Sequence, residues 1–188
     1  MNIASMGLGK VGRRNAAPSY QAGYKLTLRM TRPSAAFEEL ASPSGLASNE
    51  RAGGWLHNAD LSLSCVAGTT TPPVLAHALS QLSWNAPVAD FTTTSPKVKR
   101  EGAALAAAAG IPYVDNAILG AISLNLVPTP LPASGNGSEE LEEVFERAGA
   151  RVQPSPYTAS ALDRSPLQLA EPTVDEALSW LLTSAPAR

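Results

Sequence analysis

The sequence predicts an α/β fold built on a doubly wound, mostly parallel sheet with a short helical C-terminal stub. Three observations carry that prediction. Short apolar runs of strand length alternate with amphipathic or Ala-rich stretches of helical period, several of those stretches stop at a glycine, and the alternation ends only near the C-terminus, where prolines accumulate. Strands spaced regularly by helices need crossover connections, and hence a parallel sheet covered on both faces.

Taken in order, "MNIASM" is the first strand and "YKLTLRM" the second, with a helix from Lys10 to Gln21 between them and Gly23 as its stop. Pro18 lies inside that helix, where its ring should clash with the carbonyl of Arg14 and kink or shorten it. "ADLSLSCV" reads as a buried strand, "PPVLAHALSQL" as a helix and "APVADF" as a strand. The next helix, "SPKVKREGAALAAAAG", starts at Ser95 and Pro96 and stops at Gly110. Its expected inner face is Val98, Gly102, Leu105, Ala106 and Ala109, with Lys97, Lys99 and Arg100 directed elsewhere. "IPYVDNAIL" and "PTPLPASG" are further strands. "SEELEEVFERAG" is a helix with an acidic first turn, an apolar stripe of Leu141, Val144, Phe145 and Ala148, and a stop at Gly149. "ARVQPSP" supplies the last strand. Beyond it, Pro156, Pro166, Pro172 and Pro186 leave room for one short helix near Ser160 and another over 174–182.

Composition narrows the function classes. At 188 residues the chain suits one complete core rather than two. A net charge of -2 provides no long-range field for nucleic acid or an anionic membrane, so neither is expected as a partner. Cys65 is the lone cysteine, which rules out an intramolecular disulfide and a cysteine-built metal site, and reads as an inert core thiol. His57 and His77 are far apart in sequence and read as surface or helix residues, so no metal site is expected. The chain opens with no basic segment ahead of a signal-like apolar stretch, and a soluble, cytoplasmic protein is expected.

The segment following the first strand, Gly7-Leu8-Gly9-Lys10-Val11-Gly12, is the informative motif. A glycine pattern of this kind is weak alone, but here it follows a strand, opens a helix and lies within a βαβ unit. In that setting Gly7 makes the tight turn, Gly9 admits a pyrophosphate to the backbone, and Gly12 lets the helix pack closely, with helix amides facing the phosphates. The prediction is a Rossmann-type dinucleotide site, the alternative being a structural turn. At the end of the second strand, an NAD-preferring site usually places an acidic residue for the ribose 2′-hydroxyl. The chain has Met30, Thr31 and Arg32 there, which favours NADP, with NAD as the alternative. The bland reading makes Arg29 and Arg32 ordinary surface charges.

Five segments carry a family resemblance: "IASMGLGKVG", "AGYKLTLRMTRPSAA", "NADLSLSCV", "VADFTTTSPKVKREGAALAAAAGIPYVDNAILGA" and "TPLPASG". Together they resemble the NAD(P)-binding domain of the 6-phosphogluconate dehydrogenase and β-hydroxyacid dehydrogenase superfamily, over about residues 1–165. The resemblance implies an NAD(P)-binding domain over 1–155, a helical remnant over 156–188, and hydride transfer between nicotinamide and a small hydroxy acid. By position it implies that Gly7, Leu8, Gly9, Lys10, Val11 and Gly12 hold the pyrophosphate and that Arg32 meets the adenosine phosphate. It also puts Val66 and Ala67 at the cofactor ribose and Thr93 near the nicotinamide ribose and carboxamide; otherwise these are a strand end and a helix N-cap.

The departures bear on catalysis. Where the superfamily has Ser-Gly-Gly for the substrate carboxylate, this chain has Leu119, Gly120 and Ala121, and the last two are the candidate substrate contacts. Asp163 stands where the resemblance expects the acid/base lysine, and a carboxylate of ordinary pKa cannot donate a proton at neutral pH as an ammonium can. The superfamily's helical domain is represented here by residues 156–188 only, so Leu178, Trp180, Leu181 and Leu182 are expected to dock on the sheet domain or to form a homodimer. Two readings stand: an NADP-dependent oxidoreductase, or a noncatalytic NADP-binding relative.

Overall fold

The computed structural model describes residues 1–7, 9–29, 47–49, 54–68, 71–116, 131–150 and 152–154. Among the described residues there are eight strands, β1 (Asn2–Met6), β2 (Lys25–Arg29), β3 (Ala47–Asn49), β4 (Leu61–Ser64), β5 (Val88–Asp90), β6 (Tyr113–Asn116), β7 (Leu131–Gly135) and β8 (Val152–Pro154). Four helices are described, α1 (Lys10–Gln21), α2 (Thr71–Leu79), α3 (Pro96–Ala108) and α4 (Ser138–Arg147), with a 3-10 turn at Gly54–Asn58.

One sheet holds all eight strands in the order β3-β2-β1-β4-β5-β6-β7-β8. Every neighbouring pair is parallel except β6 with β7, where Val114 faces Gly135. The chain winds outward from β1 through β2 to β3, then returns to the other side of β1 and proceeds through β4 to β8. The gap between β1 and β4 is therefore the topological switch point, the place where a doubly wound sheet leaves a crevice at its carboxyl edge.

Side-chain alternation builds the two layers. On one face Ile3, Leu26, Leu28, Leu61 and Leu63 pack with Ala16 of α1 and with Leu141, Val144 and Phe145 of α4. On the other, Ala4, Met6, Val88 and Tyr113 pack with Leu75, Ala78 and Leu79 of α2 and Ala103 and Ala106 of α3. Gly23, Gly110 and Gly149 follow three of the helix ends in the left-handed conformation common just past a helix C-terminus.

The structure corrects the sequence reading at three places. In α3 the buried residues are Lys99, Gly102, Ala103 and Ala106, whereas Leu105 is 43% exposed and Ala109 is also at the surface. The helix is rotated so that Lys99 enters the interior, because two carboxylates wait for it there. Pro18 does not shorten α1, which runs to Gln21, the end the sequence predicts. Strand β3 and the 3-10 turn had no counterpart among the expected elements; β3 is three residues long and too short to show an alternation. Among the described residues no helix is long and apolar enough to cross a membrane.

Candidate functional site

Three chain turns meet at the carboxyl edge beside the switch point: the one after β1, the one after β4 and the one after β5. Register places Met6 against Ser64, and Ser64 against Asp90, so the three strands end level. The Cys65 amide donates to the Met6 carbonyl at 2.8 Å and the Phe91 amide to the Ser64 carbonyl at 2.9 Å, carrying the ladder one residue beyond the strands.

In the first turn each glycine occupies a different environment. Gly7 has φ +94, and a methyl group on it would lie 2.6 Å from the Cys65 carbonyl oxygen. That position needs glycine twice over, for its backbone conformation and for its contact with the end of β4. A methyl on Gly12 would run into the Gly7 carbonyl oxygen, so α1 rests directly on the turn that precedes it. Gly9 is exposed, and a methyl there would meet nothing within 4 Å. Two glycines are thus required by the protein's own packing, and the third leaves the backbone open to the outside.

The start of α1 lies behind that opening. Gly9 is its N-cap, makes no side-chain capping hydrogen bond, and no acidic residue stands in the first turn. The Arg13 amide donates to the Gly9 carbonyl at 3.1 Å, which begins the helical ladder. A helix start without a capping side chain keeps its first amide groups directed outward with partial positive charge, a setting that suits a phosphate. The residues present therefore fit a dinucleotide diphosphate: a close-packed turn, an accessible main-chain position and an uncapped helix of twelve residues.

The other two turns touch each other. Val66 is half-buried and Ala67 exposed in the turn after β4. A methyl on Gly68 would stand 2.8 Å from Thr94 Cγ2 and 2.9 Å from the Thr93 carbonyl, so this turn packs against the one after β5. Thr93 is exposed there, and the N-cap of α3 is Ser95, whose hydroxyl accepts from the Val98 amide at 3.5 Å. Gly7, Gly9, Gly12, Val66, Ala67 and Thr93 are thus brought to one edge; Lys10 and Val11 lie in the first turn of α1. Leu8, Met30, Thr31, Arg32, Leu119, Gly120, Ala121, Asp163 and the C-terminal apolar residues lie outside the described residues.

A buried polar cluster beneath this edge has no counterpart in the sequence reading. Asp90, 1% exposed at the end of β5, accepts from the Thr92 amide (3.0 Å) and hydroxyl (2.7 Å) on Oδ1. Its Oδ2 accepts from the Tyr113 hydroxyl at 2.6 Å and lies 3.1 Å from Lys99 Nζ. Lys99 Nζ also reaches Asp115 Oδ1 at 2.9 Å and donates to the Asp90 carbonyl at 2.9 Å. Burial, reinforced by the carboxylates of Asp90 and Asp115, pushes the Tyr113 hydroxyl far above the ordinary phenol range, so it stays a proton donor. Asn116, at the end of β6, is buried, and neither side-chain amide atom has a hydrogen-bond partner among the described residues. The available signal for the cluster was one aspartate near the end of the predicted strand "APVADF", another within the next predicted strand, "IPYVDNAIL", and a lysine on the helix between them.

Cys65 lies under the first turn, with Asn15 Nδ2 donating to its Sγ at 3.7 Å, and burial raises its thiol from 9.0 to about 12. It is a protonated packing residue. His57 and His77 are both exposed, and among the described residues no group of three His, Cys, Asp or Glu side chains is placed to hold a metal.

Comparison with known proteins agrees with this architecture. The sequence profile of the NAD binding domain of 6-phosphogluconate dehydrogenase matches residues 2–155. No curated protein sequence matches significantly. Among solved structures, a 3-hydroxyisobutyrate dehydrogenase from Salmonella typhimurium superposes with a TM-score of 0.74 at 18% identity, over 87% of this chain and 60% of that one. An imine reductase from Myxococcus stipitatus in complex with NADP+ gives 0.70 at 21% identity, over 87% and 59%. A variant of an imine reductase from Myxococcus stipitatus in complex with NAD+ gives 0.72 at 20%, over 97% and 60%. At these identities the likeness is one of fold, and the chain spans about three fifths of the length of each of these structures.

Proposed function

The chain belongs to the family of the NAD binding domain of 6-phosphogluconate dehydrogenase, and we propose that it is an NADP-dependent oxidoreductase of the β-hydroxyacid dehydrogenase type, moving hydride between nicotinamide and the hydroxyl-bearing carbon of a small hydroxy acid. The observation that carries the reading is the β1–α1 turn, where Gly7 and Gly12 are fixed by packing while Gly9 is open before an uncapped helix start.

The bound cofactor supplies the hydride carrier. On the protein side, Gly7, Leu8, Gly9, Lys10, Val11 and Gly12 surround the diphosphate, with main-chain amides of α1 as donors. Arg32 pairs with the adenosine 2′-phosphate and sets the choice of NADP over NAD. Val66 and Ala67 form the wall at the ribose, and Thr93 offers a hydroxyl to the nicotinamide ribose and carboxamide. Gly120 and Ala121 provide main-chain groups for the substrate carboxylate. Asp163 takes the place of the acid/base residue and, as a carboxylate, withholds the proton an ammonium would donate; turnover is accordingly slow. We place residues 1–155 as the cofactor domain and 156–188 as a helical tail, whose Leu178, Trp180, Leu181 and Leu182 cover a homodimer contact in a cytoplasmic protein.

The test is turnover. The purified chain is incubated with NADP+ and a panel of 3-hydroxy acids, and in reverse with NADPH and the matching aldehydes, with absorbance followed at the nicotinamide band. Consumption or formation of NADPH with any member supports the enzyme. Cofactor binding without turnover across the panel contradicts it and leaves a noncatalytic NADP-binding protein.

A further inference from the structure

The turn that carries Thr93 is not held by its own sequence. Residues 92–95 form no regular element, yet they must keep a fixed position if Thr93 is to meet a ligand. Two anchors hold them. Laterally, the Thr93 carbonyl and Thr94 Cγ2 occupy the space beside Gly68 that a methyl group there would need. From below, Asp90 Oδ1 takes both the amide and the hydroxyl of Thr92.

Asp90 can do this only because its other oxygen is held by a separate set of groups. A carboxylate with Oδ1 committed to Thr92 and Oδ2 exposed to apolar packing would be unpaired on one side and free to rotate. Tyr113 of β6 and Lys99 of α3 both engage Oδ2, and the Lys99 ammonium spends its remaining donors on the Asp90 carbonyl and on Asp115. All three donors of the ammonium are thereby used, and a lysine 5% exposed is tied to β5 twice and to β6 once. A charge-assisted network of this kind fixes geometry because each member removes the rotational freedom of the next.

We propose that Lys99 is a positioning residue for the nicotinamide end of the dinucleotide: through Asp90 it locks the Thr92–Ser95 turn against Gly68, without touching the cofactor itself. The inference rests on the cofactor reading above and adds a residue from the helix layer to it. It separates the two ends of the ligand. The diphosphate depends on the β1–α1 turn, which among the described residues shares no hydrogen bond with the Asp90 cluster, and the adenosine 2′-phosphate depends on Arg32.

The experiment compares two probes by calorimetric titration: NADPH, and 2′-phospho-ADP, which lacks the nicotinamide and its ribose. For Lys99→Met the expected result is NADPH binding weaker by about tenfold, the equivalent of one or two lost hydrogen bonds, with 2′-phospho-ADP unchanged within about twofold. Because Lys99→Met strands two buried carboxylates and risks failing to fold, Thr92→Val is measured beside it. That variant deletes only the hydroxyl bond to Asp90 Oδ1 and should show the same split at about threefold. Equal loss for both probes, or no loss for either, in the folded variant overturns the inference. So does a wild-type chain that binds NADPH no more tightly than 2′-phospho-ADP, although the cofactor reading then stands. A wild-type chain that binds neither probe removes the cofactor reading and this inference with it.

Discussion

Gly9→Ala separates what the β1–α1 turn does for the fold from what it does for a ligand. Gly9 has φ -65 and ψ -166, a conformation open to alanine, and a methyl group there meets nothing within 4 Å. In the free protein the substitution is therefore harmless. Replacing glycine by alanine at a compatible position stabilises by about 0.4–1 kcal/mol through the unfolded chain, which for a domain of this size raises Tm by about 1–4 °C. With a ligand the effect reverses, because the methyl stands where a phosphate must approach the first amides of α1. A hydrogen bond to a charged group contributes about 1.5–3 kcal/mol, so losing one weakens binding by about 10- to 100-fold. Thermal melts without ligand and fluorescence titrations with NADPH read the two effects independently. An alanine variant with an unchanged dissociation constant would refute the assignment of the diphosphate to this turn.

Gly12→Ala should act in the opposite order, since its methyl meets the Gly7 carbonyl in the free protein. Overpacking of this kind costs about 1–3 kcal/mol, and a Tm lowered by about 2–12 °C in calorimetry is expected. Arg32→Ala should reduce the preference for NADPH over NADH by about tenfold in paired titrations, the loss of one charge-assisted pair; an unchanged ratio contradicts the 2′-phosphate assignment. Asp163→Lys should raise turnover on any substrate found, by about 10²- to 10⁴-fold if that position carries proton transfer. Cys65 should resist a thiol reagent at pH 8 in the folded chain and react once the chain is unfolded in urea. Because folding raises its thiol from 9.0 to about 12, the stability it contributes is intact below pH 9 and falls as pH rises from 9 towards 12. Denaturant midpoints across that range measure the slope.

The order of elements was legible in the sequence because each signal was local. Lys10–Gln21 is bounded by a glycine turn and Gly23, and Ser138–Arg147 carries its stripe of Leu141, Val144 and Phe145 at helical spacing, so no distant contact was needed to place them. The turn after β1 was legible for the same reason. Position across the sheet was not. Nothing in "SPKVKREGAALAAAAG" announces that Lys99 turns inward while Leu105 is left at the surface, because the reason lies in Asp90 and Asp115 on two strands contributed by other segments. Periodicity assigns a lysine to the solvated face unless its partners are known. The contact of Gly68 with Thr93 and Thr94 is likewise tertiary, joining turns that one helix and one strand separate.

The most direct test of the account is an equilibrium titration of the purified chain with NADPH and with NADH. Saturable binding of both, tighter for NADPH and with one site per chain, is the predicted result. Absence of saturable binding by either nucleotide would contradict it, whatever the shape of the turn at Gly7–Gly12.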